Sequence, residues 1–216
     1  MKLAVKFILF FGYLTPFSPR AMIWRLLDKT TYRILDVGCG RGRSILPIIL
    51  RKKNSFRVGL DIFPSNVQFC KLNGYYDDVI LADVRSMPFK ANAFDAVLCI
   101  HVIEHLPKRD GLSMVQELED VASKQVIAVT PVGFMVVDIH DGNSWEIHRS
   151  GWMPVELESL GYECRGIGPP RFLGRNYYLY YLSFIFPLVG LVFFNPKSAK
   201  EMICTKKLVR EFENCG

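Results

Sequence analysis

Short apolar runs alternate along the chain with stretches in which apolar residues recur at helical spacing. The runs that predict buried strands are Arg33–Val37, Arg57–Asp61, Val79–Ala82, Phe94–Ile100 and Gln125–Thr130. Helices are predicted between or after them over Ser44–Lys53, Pro64–Leu72 and Pro107–Ala122. Because parallel strands need long crossovers that cover both faces of a sheet, this alternation predicts an α/β fold with a mostly parallel sheet.

Beyond Pro131 the alternation gives way to a polar loop. A helix is then predicted from Ser150, as its N-cap, to Gly161 as its stop signal. Two further strands are predicted over Tyr162–Ile167 and Met202–Lys206.

Two segments are more apolar than a surface requires. Leu3–Leu14 is too short to span a bilayer comfortably, and no small-residue cleavage site follows it. Tyr177–Phe194 has no charge but contains Pro187, and a span there would separate the last predicted strand from its sheet. We therefore predict an N-terminal apolar helical segment over residues 1–30 and one domain over residues 31–216. A hydrophobic insertion is expected at about residues 169–197.

The composition shows where the net charge lies and how the cysteines are spaced. The net charge is +6, and most of the excess lies in the tail from Arg165 to Gly216. The six cysteines form no CxxC pair, so we expect reduced thiols in a cytoplasmic protein rather than a disulfide framework or a zinc site.

The stretch ILDVGCGRGRS joins the first strand to a helix through glycines. Such a turn lets backbone N–H groups face a ligand with no Cβ in the way. Arg43 stands where the dinucleotide fingerprint requires its third glycine. Asp36, at the end of the strand, suits a ligand with an ammonium group and would repel a pyrophosphate.

Two more carboxylates end the next two strands. Asp61 stands where it can accept ribose hydroxyls, and Asp83 stands where it can accept an adenine amino group. Three strand-end carboxylates around a glycine turn predict a site for a cationic adenosine without phosphate, which is S-adenosylmethionine.

The motifs DVGCGRG, VGLD, LADVRSMPF, FDAVLCIHVIEHL and TPVG, in this order, resemble those of the class I S-adenosylmethionine-dependent methyltransferases of the type 11 branch. The resemblance covers about residues 32–167. It implies a doubly wound, seven-stranded, mostly parallel sheet whose last strand is antiparallel. It also implies a set of cofactor-binding residues, namely Asp36, Gly38, Cys39, Gly40, Asp61, Ile62, Asp83, Val84 and Ile100. Cys39 would be a small structural residue beneath the cofactor.

Candidate catalytic residues follow the fourth and fifth strands. We expect His101, His148 and Arg149 near the acceptor, and Trp145, Trp152 and Arg149 in the wall of its pocket. The segment HRSGW resembles a subgroup of prokaryotic methyltransferases in which it faces that pocket.

The run His101-x-x-Glu104-His105 is similar to the E-x-x-E-H of metal-dependent O-methyltransferases. His101 replaces its first carboxylate, which argues against a hard-cation site, so no metal is predicted; a metal with His140 as an extra ligand is the alternative. In type 11 proteins the same E-H-L run is also compatible with a structural role.

The expected function is methyl transfer to oxygen or nitrogen of a small-molecule or lipid-linked acceptor. A nucleic-acid methyltransferase and a non-catalytic S-adenosylmethionine-binding regulatory protein are the alternatives. Nucleic acid is disfavoured because no basic stripe interleaved with aromatic residues lies near the site. We expect a monomer or homodimer in the cytoplasm, and the basic tail and apolar segments leave open a peripheral contact with anionic lipid at the inner membrane face.

Overall fold

Seven strands form one mixed sheet in the computed structural model, which describes residues 19–43, 45, 54–137, 143–171 and 192–208. The strands are β1 (Arg33–Val37), β2 (Phe56–Asp61), β3 (Asp78–Leu81), β4 (Phe94–Ile100), β5 (Ala122–Pro131), β6 (Glu163–Pro170) and β7 (Ala199–Lys207). Their order is β3-β2-β1-β4-β5-β7-β6, and β7 runs antiparallel to both of its neighbours. The predicted fold class is confirmed.

Helices flank this sheet. They are α1 (Pro19–Leu26), α2 (Pro64–Asn73), α3 (Lys108–Val121) and α4 (Pro154–Glu158), with 3-10 turns at Ile103–His105, Ser144–Glu146 and Pro196–Ser198. In α3 the buried residues Met114, Val115, Leu118 and Val121 recur at the spacing of one helical face. The predicted βαβ units are thus present, and the apolar pattern that predicted them is the one that packs in the structure.

Two hydrophobic clusters cover the two faces of the sheet. In β1, Leu35 and Val37 belong to one cluster and Ile34 to the other, because successive side chains of a strand point to opposite faces. Burial on both faces explains why the strands are continuous apolar runs in the sequence.

The order of the strands fixes where a ligand can bind. From β1 the chain proceeds outward to β2 and β3 on one side, and then to β4 and β5 on the other. A topological switch point therefore lies between β1 and β4, where the loops at the carboxyl ends diverge and leave a crevice.

The predicted helix start at Ser150 is wrong. Helix α4 begins at Pro154 after Met153, because the Ser150 hydroxyl is engaged elsewhere. Its Oγ donates to the carbonyl oxygen of Ile103 (3.3 Å) and accepts from Trp152 Nε1 (2.9 Å). These bonds tie the segment before α4 to the 3-10 turn after β4.

The expectation that all cysteines are reduced thiols is also wrong. Cys164 and Cys204 form a disulfide between β6 and β7, where the antiparallel register sets them opposite each other with a Cα–Cα distance of 4.1 Å. They are 40 positions apart in the chain. The free thiols of the described residues are Cys39, Cys70 and Cys99, all buried.

Several predicted segments lie outside the described residues: Leu3–Leu14, nearly all of Ser44–Lys53, and most of Tyr177–Phe194. The division at residue 30 and the insertion at about 169–197 remain predictions. No helix within the described ranges is both long and apolar enough to cross a membrane.

Candidate active site

A cavity of about 700 Å³ opens at the carboxyl ends of β1, β2 and β4 and extends to the loops after β5. The predicted cofactor residues that line it are Gly38, Cys39, Gly40, Asp61, Ile62, Asp83, Val84 and Ile100. Both predicted histidines, His101 and His148, line it as well. The cavity lies at the switch point, so the fold accounts for its position.

The glycine turn has a backbone that requires glycine. Gly38 has a φ of 63° and Gly40 a φ of 52°, both in the left-handed region. A Cβ on Gly38 would lie 2.4 Å from Cγ2 of Val102, whereas a Cβ on Gly40 would meet no atom within 4 Å. The turn therefore packs closely on one side and leaves open space along Gly40 on the other.

Asp61 anchors this turn to the end of β2. Its carboxylate accepts hydrogen bonds from the backbone N–H of Gly40 (2.7 Å) and of Phe63 (2.8 Å), and from Asn66 Nδ2 (3.3 Å). These donors fix the carboxylate in the cavity wall, next to Ile62. Such a position suits the ribose hydroxyls of an adenosine.

Asp83 lies at the next strand end and is held by Arg85. The Arg85 guanidinium and backbone N–H both donate to its carboxylate. These hydrogen bonds hold the pKa of Asp83 below its ordinary value, so the group is ionised at neutral pH. It lines the cavity beside Val84, as an adenine contact requires.

Asp36 lies beneath the turn rather than in the cavity wall. Its carboxyl is buried and accepts a hydrogen bond from the Tyr76 hydroxyl (2.6 Å). Burial raises the pKa of Asp36 to about 7, although the Tyr76 hydrogen bond opposes this shift. The position suits support of the turn, and the contact with a ligand ammonium remains a prediction.

Two thiols converge on the turn from below. Cys70 Sγ lies 3.2 Å and Cys39 Sγ 3.8 Å from the carbonyl oxygen of Gly40. The hydrogen bond with Cys70, together with burial, raises the pKa of the Cys39 thiol far above its ordinary value. A thiol that stays protonated is a poor nucleophile, which supports the structural role predicted for Cys39.

The end of β4 carries a strained histidine. His101 has a φ of 55°, and its backbone N–H donates to the carbonyl oxygen of Val129 (2.8 Å). Its Nδ1 lies 3.2 Å from Oε1 of Glu104, whose Oε2 accepts from Thr130 Oγ1 (3.0 Å). Because Glu104 is 2% exposed and His101 lines the cavity, this ion pair lies between the core and the cavity.

This pairing sets the charge on both groups. Burial disfavours each ionised form, but the mutual hydrogen bond and opposite charge outweigh it. The pKa of His101 rises to about 9 and that of Glu104 falls below its ordinary value. His101 is thus an imidazolium at neutral pH, which donates hydrogen bonds and is unsuited to take up a proton.

The pKa of His148 is shifted in the opposite direction from that of His101. Partial burial lowers its pKa, so its imidazole is neutral at pH 7. The ring packs edge-to-face against His105 with centroids 4.9 Å apart, and its buried Nδ1 finds no hydrogen-bond partner among the described residues. A neutral imidazole in the cavity wall is the better candidate for a general base.

Arg149 and Trp152 lie outside the cavity wall. The Arg149 guanidinium donates to the backbone carbonyls of His105 (2.8 Å) and Ser144 (3.3 Å), which binds two loops together. Trp152 is fully buried, with Lys108 Nζ 3.6 Å from its ring centroid. The predictions that Trp152 and Arg149 line the pocket are both wrong, because the Trp152 ring fills the core beside Gly111 and the Arg149 guanidinium is bound to the loop carbonyls. Trp145 does line the cavity.

Three donor atoms of Glu104, His105 and His148 lie within 4.8 Å of one another, which is the spacing of a candidate metal cluster. Both Glu104 oxygens already accept hydrogen bonds, from His101 and Thr130. The Glu104 carboxylate is therefore satisfied within the protein, whereas His148 Nδ1 has no partner among the described residues, and the absence of a metal remains a prediction.

Some lining residues were not anticipated from the sequence. They are Arg41, Met135, Val137, Asn143, Glu146 and Glu201, among others. Glu201 enters from β7, 100 positions beyond the residue His101 that it faces, and no local pattern marks it. Only the pairing of β7 with β5 brings it to the cavity.

Comparisons with known proteins agree with this geometry. Residues 35–130 match the family described as "Methyltransferase domain". Ajmaline N-methyltransferase of Rauvolfia serpentina is 31% identical over 138 residues, which cover 52% of this chain and 46% of that protein. The tRNA (carboxymethyluridine(34)-5-O)-methyltransferase of Arabidopsis thaliana is 27% identical over 137 residues, 63% of this chain and 30% of that one. This chain thus spans less than half the length of either relative.

Among solved structures, a SAM-dependent methyltransferase from Archaeoglobus fulgidus superposes with a TM-score of 0.57 at 16% identity, over 93% of this chain and 99% of that one. Identity this low supports the fold alone, whereas the family match covers the strands that carry the glycine turn, Asp61 and Asp83. Residues 35–130 therefore form a methyltransferase domain, on a sheet with the fold of the class I, S-adenosylmethionine-dependent methyltransferases.

Proposed function

We propose that this protein transfers a methyl group from S-adenosylmethionine to an oxygen or nitrogen atom of a small-molecule or lipid-linked acceptor. The observation that carries the proposal is the single cavity in which the glycine turn, Asp61 and Asp83 meet His101 and His148. One end of this cavity fits an adenosine, and the other presents ionisable side chains to a second molecule.

The residues of the turn and strand ends suit the cofactor. Open space along Gly40 accepts the aminoacyl portion, Asp61 faces the ribose, and Asp83 with Val84 faces the adenine. The bound cofactor supplies an electrophilic methyl group, so the protein needs only to align the acceptor and manage its proton.

His148 is the residue we assign to that proton. Its neutral imidazole can accept a proton from an acceptor hydroxyl or ammonium, while His101, as an imidazolium, orients the acceptor by donating a hydrogen bond. Arg149 acts as a positioning residue, since it donates to the carbonyl of Ser144 and to that of His105, whose ring packs against His148.

Apolar side chains around the opening of the cavity support an apolar acceptor. Met135, Val137 and Trp145 line the cavity, and the neighbouring Phe134 and Val136 are 58% and 70% exposed. We extend the proposal to peripheral contact with anionic lipid, in which these apolar side chains contact the membrane and the basic excess of residues 165–216 supplies the attraction to the headgroups. Co-sedimentation with vesicles that contain anionic phospholipid tests the extension, and a protein that stays in the supernatant at every lipid composition contradicts it.

Binding of S-adenosylhomocysteine, measured by calorimetry, tests the cofactor site. We expect wild-type binding, a loss of about tenfold or more in Asp61→Asn, and no change in Asp120→Asn, an exposed carboxylate on α3. The absence of binding to the wild type would refute the proposed function.

A transfer assay with methyl-labelled cofactor tests catalysis against an acceptor panel that includes tRNA. We expect His148→Asn to lower turnover about 100-fold while it leaves cofactor affinity unchanged. Labelling of tRNA alone would favour the nucleic-acid alternative. Cofactor binding without transfer to any acceptor would favour the regulatory alternative.

A further inference from the structure

The charged side chains that line the cavity do not cancel one another. The carboxylates are those of Asp61, Asp83, Glu104, Glu146 and Glu201, and the cations are Arg41, Arg43 and His101. His101 belongs with the cations because its pKa is raised to about 9. Arg85 neutralises Asp83 from outside the lining, and His101 neutralises Glu104. Asp61, Glu146 and Glu201 then remain against Arg41 and Arg43, an excess of one negative charge among the described lining residues.

The remaining charges are distributed unevenly along the cavity. Arg41 and Arg43 belong to the turn after β1, on the cofactor side, whereas Glu146 and Glu201 come from other segments. S-adenosylmethionine carries an ammonium, a sulfonium and a carboxylate at neutral pH, so its single positive charge balances the cavity as a whole. The acceptor side stays locally negative, and a low-dielectric cavity concentrates ligands of the opposite charge.

Two carboxylates on the acceptor side are available for this purpose. Glu201 lies on β7 opposite Pro131, close enough to His101 to influence its charge. Glu146 follows Trp145 and accepts a hydrogen bond from Asn143 Nδ2 (3.2 Å). Neither forms a salt bridge with any residue in the described part of the chain.

Aromatic and apolar surface lies beside these carboxylates. Trp145 lines the cavity and is 40% exposed, and Met135 and Val137 line it from the segment after β5. The face of an indole ring attracts cations, more strongly than other aromatic faces do. A ligand with one positive charge and an apolar body matches this combination.

We propose that the acceptor is an apolar amine that enters the cavity as a monocation, and that the protein methylates nitrogen. This inference rests on the proposed function. Glu146 and Glu201 bind the ammonium, Trp145 packs on the apolar body, and His148 takes one proton to free the nitrogen lone pair. The nitrogen then forms the N–CH3 bond as the S–CH3 bond breaks, its electron pair stays on sulfur, and the product is a methylated ammonium.

Matched probes test the charge preference by calorimetry on the full chain with S-adenosylhomocysteine bound. One series is 2-phenylethylamine, 2-phenylethanol and 3-phenylpropanoate, and the other is octylamine, octanol and octanoate. We expect each amine to bind about tenfold tighter than its alcohol, and the carboxylates not to bind.

Glutamine variants show which carboxylates cause the preference for amines. Glu146→Gln and Glu201→Gln should each weaken amine binding about three- to tenfold and leave alcohol binding unchanged. Glu158→Gln, an exposed carboxylate on α4, should change neither. Thermal unfolding of each variant shows that it is folded.

Three results would overturn the inference: alcohols or carboxylates that bind as tightly as amines, amine binding that both glutamine variants leave intact, and no amine binding up to about 10 mM. Binding of Mg²⁺, Mn²⁺ or Zn²⁺ that abolishes the amine preference would also overturn it, because the excess charge would then serve a metal. Failure of amines with S-adenosylhomocysteine still bound refutes this inference alone, whereas loss of cofactor binding refutes the proposed function.

Discussion

Gly38 and Gly74 share a backbone conformation but differ in their surroundings. Their φ angles are 63° and 62°, yet a Cβ on Gly38 would collide with Val102 whereas one on Gly74 would meet nothing within 4 Å. Alanine variants of these two glycines therefore separate two free-energy costs, that of a side chain on a left-handed backbone and that of crowding at the cofactor turn.

We expect Gly38→Ala to lower the free energy of unfolding by about 2–4 kcal/mol and to weaken S-adenosylhomocysteine binding at least about tenfold. Gly74→Ala should cost about 1 kcal/mol, from its backbone alone, with unchanged binding. Denaturant unfolding and calorimetry measure both quantities. Equal effects of the two variants on binding would contradict the close packing of the turn.

The ion pair of His101 with Glu104 predicts a pH-dependent stability. The pKa of His101 is about 9 in the folded protein against 6.5 for the free side chain, so its contribution is complete below about pH 6.5 and disappears as pH rises through 9. Because the His101 side chain is 41% exposed, solvent screening limits this contribution to about 1 kcal/mol.

We expect the melting temperature of wild type to exceed that of His101→Asn by about 2–4 °C at pH 6.5, and this difference to vanish near pH 10. Asparagine tolerates a positive φ, which makes it the suitable replacement. Thermal unfolding across this range measures the difference. A gap that stays constant with pH would show that no titrating pair is involved.

At the scale of elements, the segment before α4 is held by hydrogen bonds to the 3-10 turn after β4 rather than by those of a helix. The backbone N–H groups of Arg149 and Ser150 both donate to the carbonyl oxygen of Glu104, and the Ser150 hydroxyl bonds Ile103 and Trp152. These contacts bring His148 from a distant loop to the 3-10 turn after β4.

Ser150→Ala leaves two buried polar groups without their partner, so we expect it to lower the free energy of unfolding by about 1–3 kcal/mol. It should also reduce methyl transfer more than cofactor binding, because His148 loses its support. Ser159→Ala, at an exposed hydroxyl on the end of α4, should change stability by less than about 0.5 kcal/mol. Chemical denaturation of both variants provides the comparison.

The disulfide between β6 and β7 is the second feature at this scale. It closes a long loop, and such a cross-link stabilises mainly by restricting the unfolded chain. We expect a reductant to lower the free energy of unfolding of the wild type by about 2–4 kcal/mol. The Cys164→Ala/Cys204→Ala variant should not respond to the reductant, and a response of equal size in that variant would contradict the assignment.

At the scale of the whole molecule, cofactor binding and folding are linked. The turn after β1, Asp61 on β2 and Asp83 after β3 meet only when the sheet is assembled, so the unfolded chain has no site. At a concentration of S-adenosylhomocysteine about 100 times its dissociation constant, we expect about 2.7 kcal/mol of added stability.

A metal chelator should not alter that gain or the transfer rate, because the Glu104 oxygens are already hydrogen-bonded within the protein. Thermal unfolding with and without the chelator measures the first quantity, and the labelled-methyl assay measures the second. Lost activity that returns on addition of a divalent metal would show that Glu104, His105 and His148 hold an ion.

The sequence by itself determined the strands, the glycine turn and the carboxylates that follow the strands. These features are local, since alternation of apolar runs, positive-φ glycines and strand ends are each set within a few residues. The individual strands and the glycine turn could therefore be predicted, with errors of a few residues at element ends, whereas the seven-stranded sheet with its antiparallel strand followed from the family resemblance.

Only the tertiary structure decided what depends on residues far apart in the chain. The register of β6 against β7 joins Cys164 to Cys204, and the pairing of β7 with β5 brings Glu201 to His101. The hydrogen bond and opposite charge of Glu104 keep His101 protonated, while partial burial keeps His148 neutral. Charge and cross-links are properties of neighbours in space, so no pattern along the chain could have assigned the charges of the histidines or the contribution of Glu201 to the cavity.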